Sequence, residues 1–315
     1  MSVELLVDST LLALVVLVAV WTIAVRDSFA AVIGYACYGL LLAFSWVRLA
    51  AIDAALTEAA IGGGLTSVLL IRAVVRLRGT EAAAVAETPG GMQRFFAAVL
   101  SAAVAAALGV VVLTLPDPAP TLAPQVAANI ASTGLGNAVT AVLLAFRATD
   151  TLLEAVVLVY ALVAVWALTP DRFWGGRPGQ KYAVDPHGML AYLARLLPPL
   201  GIVVAIYVFW VGADLPGGKF QAGTLLAAMW LLTIMAGLTD VPPISRRWLR
   251  LALVAGSVVF LAIGFAGIPL AGTFLAYPES FAKPLILVIE AASMVSIAVT
   301  LGLLVLGAPE RSGAP

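Results

Sequence analysis

The stretch Ile52–Leu65, IDAALTEAAIGGGL, sets two carboxylates, Asp53 and Glu58, inside an otherwise apolar segment and follows them with Gly62, Gly63 and Gly64. A charged group at the centre of a membrane helix costs about 3 kcal/mol or more, so an acid kept there serves an ion or proton path or is bonded to a neighbouring helix. A spacing of five residues turns an α-helix through about 500°, so the two side chains point about 140° apart and cannot chelate one ion between them. The glycines let another backbone approach closely, or let the helix open into a π-bulge that admits water to Glu58. Two plainer roles stand beside these: Asp53 as the cap of its helix and Glu58 as a structural acid held by a neighbour.

The composition puts this stretch in a bilayer. Of 315 residues, 63% are hydrophobic and 11% charged, against roughly 25% charged in a soluble domain. Runs of about 20 apolar residues cross the roughly 30 Å hydrocarbon layer as helices, and those found here are too long for barrel strands. The expected fold is an all-α, polytopic transmembrane helical bundle of about nine spans: Leu5–Val25, Phe29–Val47, Ala54–Val75, Phe95–Leu115, Thr151–Leu168, Leu193–Val211, Gly223–Leu238, Leu249–Ile268 and Leu285–Leu306. The first carries Glu4 and Asp8 where a signal peptide has a basic region, so it is expected to stay as a span.

Basic residues order these spans. Thirteen of the 17 fall in one set of alternate connections, from Arg26 through Arg72, Arg76, Arg78 and Arg94 to Arg311, against Arg48, Lys219 and Lys283 in the other, with Arg147 at a span edge. Positive charge stays on the cytoplasmic side, so the N-terminus is expected outside and the C-terminus inside. Two polar, Gly- or Pro-bearing connections, Thr80–Gly91 and Thr169–Gly188, read as exposed linkers and divide the chain into blocks of three, two and four spans: 1–80, 81–170 and 171–315. Between the fourth and fifth spans, Asn137–Phe146 reads as an interfacial or half-inserted helix, since a further crossing would invert the charge pattern.

Three more sites hold ionisable groups at depth. Arg147, Asp150 and Glu154 stand at i, i+3 and i+7 and share one face of a continuous helix, where they form a net negative charge ladder; the alternative has Asp150 or Thr149 capping the span and Arg147 at the headgroups. Glu290 lies about six residues into the last span with no base within a turn, so it needs a partner from another helix, a proton, a wet path or a neighbouring subunit. Lys219, in the turn Trp210–Gly223, is expected to snorkel, with neutralising an acid across the bundle as the other option.

Catalytic chemistry has no foothold. Cys37 is the one cysteine, mid-span, and His187 the one histidine, in a loop. No Gly-rich phosphate loop or Ser/His/Asp arrangement is present, and Gly175–Lys181, GGRPGQK, lacks the GK[ST] ending and strand–helix setting of a phosphate site. No catalytic residue, cofactor or metal is expected, and a net charge of zero gives no reason for a nucleic-acid partner.

IDAALTEAAIGGGLTSVLL resembles the signature helix, usually near PDVALTEAAVGAGL, of small membrane subunits of energy-converting hydrogenases (MbhD-like) and of the C-terminal part of the large Mrp subunit. GNAVTAVLLAFRATDTLLEAVVL is similar to their next segment (MbhE-like), and LARLLPPLGIVVAIYVFWVGADLPGGKFQAG resembles the MnhB/MrpB subunit of multisubunit sodium/proton antiporters. The usual FRGFDTLGE is here FRATDTLLE, and SPGGGF is LPGGKF, which adds Lys219. The resemblance implies a membrane subunit of a sodium/proton antiporter or complex-I-like ion-translocating complex, working with other subunits, sodium and/or protons in the lipid bilayer of a bacterial cytoplasmic (inner) membrane. Asp53, Glu58, Asp150, Glu154 and Glu290 carry over as the acids of an ion path, with Arg147 and Lys219 as their cations. The alternative is a structural scaffold subunit, without an ion path of its own, in a membrane-bound hydrogenase or other redox-driven complex.

Overall fold

The computed structural model describes residues 3–86, 90–179, 185 and 187–311. Helices dominate them: α1 Val3–Ala24, α2 Ser28–Arg48, α3 Ile52–Thr57, α4 Ser67–Ala86, α5 Gly91–Thr114, α6 Ala123–Asn129, α7 Ala138–Ala141, α8 Ala148–Ala167, α9 Met189–Val211, α10 Lys219–Met235, α11 Arg247–Ala271 and α12 Ala282–Leu306. Eight helical stretches are long and apolar enough to cross a membrane, with α3 and α4 counted as one, while α10 has 17 residues. All nine expected spans are therefore present as helices. At 1.5 Å per residue α10 is about 25 Å long, so it falls short of the hydrocarbon thickness and one of its ends must lie below the lipid surface.

α12 is the axis. Over half of its apolar window is enclosed by α8, α9, α10 and α11. Ile286 and Ile289 join Phe260, Leu144 and Leu152 in an apolar layer at one end, and Leu303 and Leu306 join Leu162, Leu231, Leu249 and Leu253 at the other. Between them α12 buries Glu290, Ser293 and Ser296. With no hydrophobic drive between helices in lipid, such packing depends on close fit and interhelical bonds. The Ser296 hydroxyl supplies one of these by donating to the Leu253 carbonyl of α11.

The glycines after Glu58 act as their backbone freedom allows. From Glu58 to Thr66 the helix between α3 and α4 widens to π geometry, and at its centre Gly63 meets Gly39 of α2, where a Cβ on Gly39 would stand 2.8 Å from Gly63 Cα. A larger residue at Gly39 would force the helices apart, whereas a Cβ on Gly63 would find ordinary contacts at 3.5 Å. α2 and α10 flank this wide turn, which joins the first three spans to the rest of the bundle.

Two connections differ from the sequence expectation. Helix α4 continues through Thr80 to Ala86, because TEAAAVA consists mostly of strong helix formers and the first proline comes only at Pro89. Residues 87–89 of that linker, and Lys181 of the second, lie outside the described residues. In the described part of the second connection, β1 Arg177–Pro178 forms an antiparallel ladder with β2 Pro309–Arg311. Arg177 and Arg311 both reach Asp240 at 3.1 Å, and Arg72 donates to the Val305 carbonyl at the adjacent end of α12. No pattern local to the linker announces a two-residue strand whose partner lies 130 positions away.

α1 packs on α2, and neither α1 nor α5 has a buried residue. Apart from the side of α1 that meets α2, their apolar surfaces face outward, as helices do against lipid or a neighbouring subunit.

Candidate functional site

The Asp53 end of the bundle is built around a broken element. Residues Ala123–Thr133 and Ala138–Phe146 meet at a bend of 86°, the shape of a broken span or re-entrant loop, which agrees with the half-inserted helix expected at Asn137–Phe146. Non-helical backbone at membrane depth must find partners inside the protein, and here it does. Gly136 and Asn137 N–H donate to the Ala213 carbonyl at 3.0 and 3.1 Å. The Tyr277 hydroxyl donates to the Leu144 carbonyl at 2.9 Å and Thr151 to Leu143 at 2.5 Å, serving carbonyls of the wide turn Val142–Phe146.

Asn137 is the hub. Its Oδ1 accepts from Val139 N–H at 2.8 Å and caps α7, while Nδ2 donates to Leu215 O at 3.0 Å, Gly212 O at 3.2 Å and Asp53 Oδ1 at 3.3 Å. Asp53 Oδ1 also accepts from Gly217 N–H at 3.0 Å. The cap of α3 is Ala51, so Asp53 sits in the first turn and ties three segments together. Asp214 beside it takes Lys283 Nζ at 2.7 Å and Gly136 N–H at 3.1 Å; the Lys283 hydrogen bond holds its carboxyl below the usual carboxylate range.

That lowered value fixes a sign. A depressed folded-state value stabilises the protein above the ordinary carboxylate range and the gain is lost as pH falls through it. The pair is half exposed, so screening leaves at most about 1 kcal/mol. Asp214→Asn should therefore lower the melting temperature by a few degrees at neutral pH and converge with the unaltered protein in acid, as read by thermal unfolding in detergent across pH. Equal melting temperatures at neutral pH would contradict the assignment.

Below this knot the turn Gly212–Gly218 opens α10. Gly217 and Gly218 hold φ of 154° and 127°, values an L side chain rarely adopts, and Gly218 caps the helix. The free N–H groups of the first turn carry partial positive charge, and the Lys219 N–H faces the Glu290 carboxylate from α12. Lys219 and Glu290 are only 5% and 3% exposed. Snorkelling is thus not what Lys219 does: α10 begins at Lys219, four residues earlier than the hydropathy suggests, which turns the side chain into the bundle against the rings of Phe220 and Phe260 at 5.7 and 5.8 Å. The glutamate that lacks a base on its own helix faces one on α10.

Asp53, Glu58, Lys219 and Glu290, from three separate helical segments, line one cavity of about 700 Å3. Its wall includes Thr57, bonded to Gln221 Nε2 at 2.9 Å, and Gly62, where a Cβ would collide with the Glu58 carboxylate. Glu58 is half-buried and makes no side-chain hydrogen bond or ion pair among the described residues. The other three expected residues lie elsewhere. Arg147 precedes α8 in a non-helical conformation yet pairs with Asp150 at 2.5 Å on the exposed surface, so the first rung of the ladder forms while Glu154 joins no ion pair among the described residues. Arg147 lines a separate apolar groove in the angle of the broken element. Glu154 sits on an exposed face of α8, near enough to Lys219 for their charges to interact. Sequence reasoning missed Asn137, Gln221, Tyr277 and the Asp214–Lys283 pair. Only Asn137 left a trace, as an Asn directly before an apolar helical run.

Against known families, residues 13–79 match the model for MbhD, one of the subunits of MBH, and residues 189–309 match a domain related to the MnhB subunit of Na+/H+ antiporters. The segment that matches MbhD and the domain that matches the MnhB-related model lie on one chain. The MbhD segment carries Asp53 and Glu58, and the MnhB-related domain carries Lys219 and Glu290, so the cavity forms where the two meet. An uncharacterized protein of Methanocaldococcus jannaschii is 27% identical over 154 residues, 44% of this chain and 59% of its own length. The fold is similar to a chain in the structure of the Mrp complex from Dietzia sp., with TM-score 0.75, 24% identity and coverage of 97% of this chain and 35% of that one. It is also similar to a chain of the membrane-bound sulfane sulfur reductase, an archaeal respiratory membrane complex, with TM-score 0.54, 23% identity and coverage of 68% and 97%. The chain thus spans about a third to three fifths of the length of the first two, and is a multi-pass membrane protein.

Proposed function

We propose that this chain is a membrane subunit of a multisubunit cation/proton antiporter or complex-I-like ion-translocating complex, and that its cavity carboxylates form part of the ion path. The observation that carries this reading is the convergence of Asp53, Glu58, Lys219 and Glu290 on one cavity inside the spans. A path needs a carboxylate able to change its ionisation as a neighbouring charge moves, in a wall that is otherwise apolar. Glu58 faces the cavity with no side-chain partner among the described residues, and Glu290 faces it with the Lys219 ammonium. Matches to an MbhD segment and an MnhB-related domain support the assignment to such a complex.

In this reading the three blocks 1–80, 81–170 and 171–315 act as one unit in a bacterial cytoplasmic membrane, with the N-terminus outside and the C-terminus inside. The charged groups expected on opposite sides gather at opposite ends of α12: Lys283 with Asp214 at one, Arg72, Arg177 and Arg311 at the other. The exposed faces of α1, α5 and α8 suit other subunits and lipid, Glu154 on α8 opens toward such a subunit, and the Arg147–Asp150 pair anchors α8 at the edge of the path. Sodium and/or protons are the ions, with direction and driving force supplied by other subunits.

The test is Glu58→Gln in the assembled complex. Proton movement driven by a cation gradient in membrane vesicles should fall several-fold while the subunit still co-purifies with its partners. An unchanged rate with assembly kept would leave a packing role for the acids.

A further inference from the structure

Lys219 is an unusual occupant for the centre of this cavity. Its Nζ and the Glu290 Oε2 are both buried, and among the described residues neither has a hydrogen-bond partner. Two aromatic rings flank the ammonium at 5.7 and 5.8 Å, which is the range in which a ring face attracts a cation. The charges acting on it are Glu290 on α12 and Glu154 on α8, and Asp53 and Glu58 face the same cavity from across it. A place that attracts a cation, with carboxylates on several sides, already holds one fixed to the backbone.

This matters for what else can bind. A sodium ion leaving water needs several oxygens to replace its hydration shell. Beside Glu290 the described neighbours are the Lys219 N–H and the Gly218 backbone, which also lies against the Gln221 side-chain oxygen, and the rings of Phe220 and Phe260 flank the ammonium. The N–H repels a metal ion, and the ammonium repels any second cation. A proton needs no shell, because it bonds directly to a carboxylate oxygen. Resting on the reading of the cavity as an ion path, we propose that Lys219 is a tethered cation that keeps sodium off Glu290 and makes this carboxylate an exchanger of protons alone.

The experiment labels Glu290 in membranes carrying the whole complex with dicyclohexylcarbodiimide, which adds to a protonated carboxyl to leave an acylurea, and reads the labelled peptide by mass spectrometry in sodium or choline at equal ionic strength. The unaltered protein and Lys219→Arg should label equally in both salts. Lys219→Met, which keeps the volume, and Lys219→Gly, which clears it, should show several-fold less labelling in sodium. Sodium protection in the unaltered protein, no protection in either neutral variant, or no labelling of Glu290 at all would each overturn the proposal. Transport that survives Glu290→Gln would bring down the ion-path reading itself; transport lost in Glu290→Gln with salt-blind labelling in the neutral variants would bring down the sodium inference alone.

Discussion

Glu290→Gln is expected to abolish cation-driven proton movement by the assembled complex, at least tenfold below the unaltered rate, about 1.4 kcal/mol of barrier per factor of ten. Glutamine fills the same space but neither releases a proton nor carries charge, so whatever Glu290 exchanges is lost. The same change leaves the Lys219 ammonium buried opposite a neutral amide. Removing one member of a buried pair costs about 3–5 kcal/mol when the two are in contact. Here no ion pair closer than 4.0 Å joins them, so about 1–3 kcal/mol is the expected loss, visible as a lower melting temperature in detergent. Glu290→Gln with Lys219→Met should recover most of that stability, since no unpaired charge is left inside, and none of the transport. A double variant that recovers both would mean the pair serves packing.

The second large effect falls on a residue with no charge. Asn137→Ala removes the cap of α7 and the donor that reaches Gly212, Leu215 and Asp53. Losing such a cap costs about 1 kcal/mol, and leaving a buried acceptor unpaired costs about 1–3 kcal/mol. Gly212 O keeps the Thr140 hydroxyl at 2.6 Å and Asp53 keeps Gly217 N–H, and Leu215 is an exposed residue, so the lost cap bears most of the penalty. About 1–2 kcal/mol is the expected total, concentrated where the broken element meets the turn before α10. Hydrogen exchange should therefore rise sharply over residues 134–147 and 212–218 while α11 and α12 stay protected. Uniform loosening of the whole bundle, or none, would show that the knot is not what holds the broken element.

How much of this the sequence discloses follows from how local each feature is. Hydropathy alone marks all nine spans, because crossing a bilayer is a property of one run of residues. The three glycines after Glu58 foretell the wide helical turn, because that is a local backbone choice. The cavity is different. Glu58 and Glu290 are 232 positions apart, and nothing in either segment says that they face one space. Lys219 shows the limit most clearly: a boundary error of four residues at the start of α10 separates a side chain at the lipid surface from one at the centre of the bundle. The Arg147 ladder survives only in its Arg147–Asp150 pair, since it assumed a continuous helix where the chain leaves helical geometry at Arg147 itself.

Accessibility of the cavity in the working complex tests the central claim most directly. Ile61 lines it one turn from Glu58, and Cys37, the one native thiol, can be replaced by serine. In Cys37→Ser with Ile61→Cys, a small, charged, water-borne thiol reagent should modify the new cysteine, and transport should stop as it does so. A cysteine that stays unreactive, or one that reacts while transport continues unchanged, would mean that no ion passes beside Glu58 and Glu290.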